Sequence, residues 1–272
     1  MNISITELFA LDFIQRAFTG GILVSLCCAL LGVSLVLKRY SMIGDGLSHV
    51  GFGALAVGTA VGAAPMYVAI PIVVIAAFLL LRMQSNGKIK GDAAIALIST
   101  SALAFGVIVI SYTSGANTDV YNYMFGSILA LTSSDVKLIL ILSAIVILLY
   151  TFNYKGIFAV TFDERFAKAT GINTEIYNAI IAFLSSLTIV TGMKMMGAML
   201  ISALIIFPPL TAMRVCKTFK TVTIVSSVIS VICFAVGLII SVAFNLPTGA
   251  SIVLINAIVF TVFSGISKLM YS

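Results

Sequence analysis

From residue 17 to residue 267 this sequence is a succession of long apolar runs cut by brief polar interruptions, and within each run the apolar residues are continuous rather than alternating. Few folds accept that pattern. With 61% hydrophobic residues, a mean hydropathy of +1.21 and only 15 basic and 9 acidic side chains, the chain has too little polar surface to clothe a soluble core. In lipid every backbone N–H and C=O must be satisfied internally, which leaves helices and closed barrels. Barrel strands would alternate between lipid and lumen, and these runs do not. The expectation is therefore an all-α, polytopic helical membrane protein forming one transmembrane domain over residues 1–272.

The runs lie at about 17–37, 46–64, 66–81, 93–110, 136–151, 176–193, 195–213, 221–244 and 249–267, to be compared with the ~20 residues that cross a bilayer. Eight or nine transmembrane helices follow. The ambiguity is in 41–81, where the stretch from Gly46 to Leu81 holds no charged side chain apart from His49. As one helix it would be about 54 Å long, too long for a single crossing. Gly62, Pro65 and Pro71 offer breaks, so two short spans, or one span and a broken helix, both fit. The N-terminus carries Glu7 and Asp12 and no basic leader, and does not read as a cleavable signal peptide. Cys27, Cys28, Cys216 and Cys233 have no metal-finger or secreted-scaffold spacing and read as packing residues.

Basic residues cluster at Lys38 and Arg39, at Arg82, Lys88 and Lys90, at Arg214, Lys217 and Lys220, and at Lys268. Nine spans counted from an outside N-terminus put all of them on one side, the cytoplasmic one. The net charge of +6 thus reports topology and gives no reason to expect nucleic-acid binding. Residues 111–134 read as an outer loop with a short or re-entrant helix near Tyr123 to Leu131, with Asp119, Asp135 and Lys137 solvated around it. Residues 152–175 form the longest cytoplasmic loop. In it FDERFAKATG patterns as a short amphipathic helix, with Phe166 and Ala169 inward, Glu164, Arg165 and Lys168 toward water, and Gly171 ending it.

Against this background one pair stands out: Asp45 and His49 in the run GDGLSH, the latter the only histidine in the chain. Residues at i and i+4 share a helix face, and ionisable groups at the mouth of a span are costly enough to be read as a site. A carboxylate and an imidazole on one face suit a divalent metal. The competing structural use is that Asp45 caps the helix while His49 bonds a neighbouring helix. Gly53, Ala56 and Ala60 continue the same face within about 80° on a helical wheel. Such a lane of small residues permits close helix packing or leaves room for a pathway.

A second constellation, GMKMMGAMLISALIIFPPLTAMRV, spans residues 192–215. Gly192, Gly197 and Ala198 permit tight packing, and Pro208 with Pro209 is expected to break the helical ladder and free carbonyls, as a gate or lining segment would. Met193, Met195, Met196 and Met199 are soft donors, but such a cluster is usually core or lipid-facing filler. Asp92 favours the positive end of the span it opens. The sequence contains no GxxxxGK[ST], no HExxH and no nucleophile with an evident base, so catalysis and an intrinsic cofactor are not expected.

The run VSLVLKRYSMIGDGLSHVGFGALAVG (33–58) resembles the signature of the membrane subunits of bacterial ABC importers for zinc, manganese and iron, close to R-x-S-L-x-G-D-A-x-S/A-H. YNYMFGSILALTSSD (121–135), FDERFAKATGI (162–172) and GAMLISALIIFPPLTAMR (197–214) are similar to that family as well, and in its order. Met42 replaces a usual Leu, Gly46 a usual Ala, and Pro209 a common Ala. The resemblance implies a permease like those of type II ABC importers in the bacterial cell membrane. It implies a homodimer, two cytoplasmic ATP-binding subunits and an extracellular or periplasmic metal-binding protein. It makes Asp45 and His49 metal-coordinating, with Mn²⁺, Zn²⁺ or Fe²⁺ as the transported ion. It also makes the segment around Phe162, Asp163, Glu164, Arg165, Phe166, Lys168 and Gly171 the coupling element toward the ATPase, and leaves Gly53, Gly197, Pro208 and Pro209 as pathway or gate positions.

Dimer symmetry would double the pair into two carboxylates and two imidazoles, so one chain need not supply a full coordination shell. A siderophore or cobalamin ABC permease would have less need of an Asp/His pair in the path. An ion-coupled secondary transporter should show more buried acids and an inverted repeat, and neither is found. A passive channel would conduct without an ATPase.

Overall fold

The computed structural model describes residues 12–85, 91–113 and 131–271. Among these there are eleven helices and no strands: α1 Asp12–Leu37, α2 Ile43–Ala60, α3 Pro65–Ser85, α4 Gly91–Thr113, α5 Ser133–Phe152, α6 Tyr154–Phe162, α7 Glu164–Ala169, α8 Thr174–Met196, α9 Ala198–Val215, α10 Phe219–Phe244 and α11 Thr248–Tyr271. Eight of them are long and apolar enough to cross a membrane. The remaining long helix is α2, 18 residues, whose Asp45, His49 and five glycines dilute its hydropathy. The expectation of a helical short segment near Tyr123 to Leu131 falls outside the described residues, apart from Leu131 itself.

The ambiguity over 41–81 resolves as two helices. Gly62 at φ +69° and Pro65 turn the chain between α2 and α3, while Pro71 is carried inside α3. Elsewhere the boundaries follow local chemistry. Thr132 and Asp135 form a reciprocal capping box on α5, Asn173 caps α8, and Thr218 caps α10, which ends at Asn245 in the left-handed region. The expected loop 152–175 is mostly helical, folded into α6 and α7.

α1 and α8 form the buried centre, and α2, packed against α3, α4, α8 and α9, is buried along most of its length. Glycine makes this possible at two close approaches. A Cβ on Gly32 of α1 would lie 2.3 Å from the Ile205 carbonyl oxygen of α9, and one on Gly21 would lie 1.8 Å from the Phe234 ring of α10. Pro209 has no N–H with which to hold the Ile205 carbonyl, so Gly32 sits over an acceptor that the proline has released. The outer faces of α3, α4, α5, α10 and α11 expose Ile, Leu, Val and Phe side chains, the surface expected of helices that meet lipid.

Candidate metal site and cytoplasmic network

Asp45 and His49 occupy the first two turns of α2. Gly44 faces Ser202 and Ile205 of α9, and Gly46 faces Ile95 of α4. Ile205 precedes the end of α9 at Val215 by ten residues, roughly 15 Å of helix, so the pair lies within the length of the bundle and not in a loop. His49 Nε2 is 3.6 Å from Asp45 Oδ2, neighbours on one helix face but too far apart for a well-formed hydrogen bond. Their side chains keep 44% and 20% of their surface for Asp45 and His49 respectively. A half-open carboxylate among apolar helices still has lone pairs to give. Asp45 does not cap α2, which begins without any side-chain cap.

No group of three His, Cys, Asp or Glu side chains able to hold a metal forms among the described residues. The described residues of one chain therefore offer two such donors at this place. Of the two uses open to the small-residue lane, close packing is the one seen beyond the pair: Gly53 lies against α4, where a Cβ would come 2.7 Å from the Ala102 carbonyl, and Ala56 is buried.

The second constellation differs from expectation. α9 runs unbroken through Pro208 and Pro209, both buried, and the chain breaks instead at Gly197. Gly197 alone separates α8 from α9, at φ 84° and ψ 159°, a conformation essentially reserved to glycine. Two prolines can ride inside a helix because Gly32 and the surrounding helices accommodate the released backbone. Met193, Met195 and Met196 are buried filler, and Met199 is half exposed.

Asp135, expected to be solvated in or beside the outer loop, is instead bonded and mostly covered. It sits in the first turn of α5, where Oδ1 meets the Lys194 ammonium of α8 at 2.5 Å and Oδ2 accepts from the Thr132 hydroxyl at 2.7 Å and the Thr132 N–H at 3.2 Å. The sequence signal for it was available: Lys194 is a lone ammonium inside an apolar run.

At the other end of the bundle, α7 is built as its sequence predicts at both termini. The Asp163 carboxylate accepts from the Phe166 N–H at 2.9 Å. Gly171, at φ +85°, closes the helix in a Schellman turn, Gly171 N–H to Lys168 carbonyl and Ile172 N–H to Ala167 carbonyl. The inward face differs from the one its pattern predicts. Ala167 is buried, whereas Phe166 and Ala169 are exposed, as are Phe162, Glu164, Arg165 and Lys168. Six residues are too few to set a stripe by periodicity, and the neighbouring α6 and α8 decide which side is covered.

Glu164 reaches back to the connection between α1 and α2. Its carboxylate lies 3.4 Å from the Lys38 ammonium and accepts from the Asn178 amide of α8 at 2.9 Å, while Lys38 also donates to the Asn178 carbonyl oxygen. The Lys38 side chain is only 6% exposed. Burial pulls its pKa below the usual lysine value, opposed by the Glu164 charge, and burial beside Glu164 pushes the Tyr40 phenol up. In the sequence Lys38 reads only as a topology marker, because its partners are 126 and 140 residues away.

The ABC 3 transport family profile matches residues 10–267. The manganese transport system membrane protein MntC of Halalkalibacterium halodurans is 28% identical over 254 residues, covering 93% of this chain and 87% of that protein. The manganese import system permease protein ScaB of Streptococcus gordonii is 31% identical over 250 residues, 92% of this chain and 90% of that one. Among solved structures, PsaBC from Streptococcus pneumoniae in complex with Fab superposes with a TM-score of 0.86 at 31% identity, covering 95% of this chain and 93% of that chain.

Proposed function

This chain belongs to the ABC 3 transport family, and on that footing we propose that it is the multi-pass permease subunit of an ATP-driven importer whose substrate is a divalent transition metal, Mn²⁺ first. The observation that carries this reading is the Asp45–His49 pair, half open within the length of an apolar bundle. A carboxylate and an imidazole suit Mn²⁺, Fe²⁺ and Zn²⁺ alike, and the preference for Mn²⁺ rests on the relatives' manganese names. An ionised carboxylate beside an imidazole, open on one side, cannot sit comfortably against hydrocarbon, so that side belongs to a second copy or a water-filled path. A homodimer answers both needs, because a two-fold axis beside α2 supplies two more donors.

The ion would be handed over by an external binding protein, held briefly by the doubled pair, and released inward. Weak, incomplete coordination by each chain is suited to passage, since a full tight shell would trap the ion. ATP hydrolysis would occur on separate cytoplasmic subunits that dock on α7 and the end of α6, where Phe166 and Phe162 stand exposed. The test is ⁵⁴Mn²⁺ uptake by cells that depend on this chain, with Zn²⁺ and Fe²⁺ as competitors. Uptake should vanish with His49→Ala while the assembled complex still purifies; undiminished uptake by that variant refutes the site, and preferential competition by Zn²⁺ or Fe²⁺ reassigns the ion.

A further inference from the structure

We infer that Lys38, Asn178 and Glu164 form a relay that makes α7, the adjoining start of α8 and the α1–α2 connection move as one body, so that displacement of α7 is delivered to the helix bearing Asp45 and His49. The inference rests on the functional reading above, in which α7 receives the motion of the ATPase. Three observations carry it.

Lys38 is an ammonium with 6% of its side chain exposed, and its acceptors are Glu164 on the first turn of α7 and Asn178 on α8. A shift of α7 and the adjoining start of α8 without the connection would strip that buried charge of both partners, which is far costlier than moving them together. The connection is also short: α2 starts five residues after Lys38, and Asp45 follows seven residues after it. Finally, the turn itself is strained. Arg39 is left-handed at φ +61°, closing α1 in a Schellman turn through Arg39 N–H to Val36 carbonyl and Tyr40 N–H to Leu35 carbonyl, at a position where glycine is usual. A non-glycine residue persists there only when its surroundings fix it. The Lys38 clamp beside it, together with the turn's own hydrogen bonds, holds the elbow stiff enough to act as a lever. Gly156 gives α6 a similarly close seat, since a Cβ there would meet the Tyr177 ring of α8 at 2.0 Å, so α6 and α8 frame the network without replacing it.

Lys38, Asn178 and Glu164 are positioning residues, remote from the ion. Their effect should therefore appear in the ratio of ATP spent to ion moved. The experiment uses the full assembly of permease, ATPase and metal-binding protein in proteoliposomes, reading ⁵⁴Mn²⁺ uptake, ATP hydrolysis and the melting temperature of each complex. Lys38→Met should lower uptake about fivefold while hydrolysis stays within about twofold of wild type, so that ATP per ion rises several-fold. Glu164→Gln keeps one acceptor oxygen for Asn178 and replaces the oxygen that meets Lys38 with an amide NH2; it should fold even if Lys38→Met does not, and should show the same change in ratio. The double substitution should be no worse than the worse single one, and the exchange Lys38→Glu with Glu164→Lys should recover much of the coupling, the Asn178 amide turning to suit the reversed charges. The relay is overturned if Glu164→Gln leaves ATP per ion unchanged, if its uptake and hydrolysis fall together, or if the single losses multiply. A wild-type assembly whose Mn²⁺ uptake is indifferent to ATP would strike the functional reading itself, and the relay with it.

Discussion

Asp45–His49 and Asp135–Lys194 are both a carboxylate beside a nitrogen base in a bundle of hydrocarbon, yet they are spent very differently. Asp135 gives one oxygen to Lys194 at 2.5 Å and the other to the Thr132 hydroxyl and N–H, tying α5 to α8. Asp45 has only His49 among the described residues, at 3.6 Å, with nearly half its surface open. A carboxylate whose lone pairs are consumed holds helices together. One whose lone pairs are left over is open to a cation, which is the role proposed for Asp45, while Asp135 is bound into the scaffold.

The largest expected effect separates the two directly. Asp45→Asn and His49→Ala should each cut Mn²⁺ uptake at least about tenfold, whereas Asp135→Asn should leave it within about threefold; isotope uptake normalised to complex in the membrane reads this, and the opposite ranking would dissolve the distinction. Next comes Gly197→Ala, three residues beyond Lys194. Its backbone conformation should cost about 1–3 kcal/mol in an alanine, seen as a lower melting temperature, and should loosen the Lys194–Asp135 tie more than the α2 pair. Asp135→Asn should destabilise by about 1–2 kcal/mol by leaving Lys194 without its charge partner, against a change below about 0.5 kcal/mol for Asp45→Asn, whose partner is barely engaged. Thermal unfolding of the purified complexes compares them, and equal losses would mean that Asp45 is structural after all. The smallest effect is at the elbow: Arg39→Gly should relieve left-handed strain and stabilise by less than about 1 kcal/mol, at the cost of a more flexible unfolded chain.

Much of this architecture is legible in the residues. Each long run became a helix close to its expected limits, Gly171 closes α7, and Asp45 and His49 do share a face. What the residues left ambiguous or wrong has a common cause. The helix through Pro208 and Pro209 stays whole because Gly32, more than 170 residues away in sequence, accommodates the released Ile205 carbonyl. Phe166 is exposed and Ala167 covered because α6 and α8 frame α7. Asp135 is an anchor because Lys194 lies opposite. Each outcome depends on what another helix brings to the spot, and periodicity along one segment cannot report that.

The sequence by itself determined that the chain is helical throughout its apolar runs, because lipid offers the backbone no other partners, and that a carboxylate and an imidazole stand one turn apart, because four residues make about one turn. Only the tertiary structure decided that Asp45 stays open while Asp135 is filled, that the break falls at Gly197 rather than at the prolines, and that Lys38 is clamped to Glu164 and Asn178. The physical reason is the same in each case: whether a polar group is free depends on where its lone pairs and protons end up, and those partners lie across helix contacts that join residues 59 to 140 positions apart.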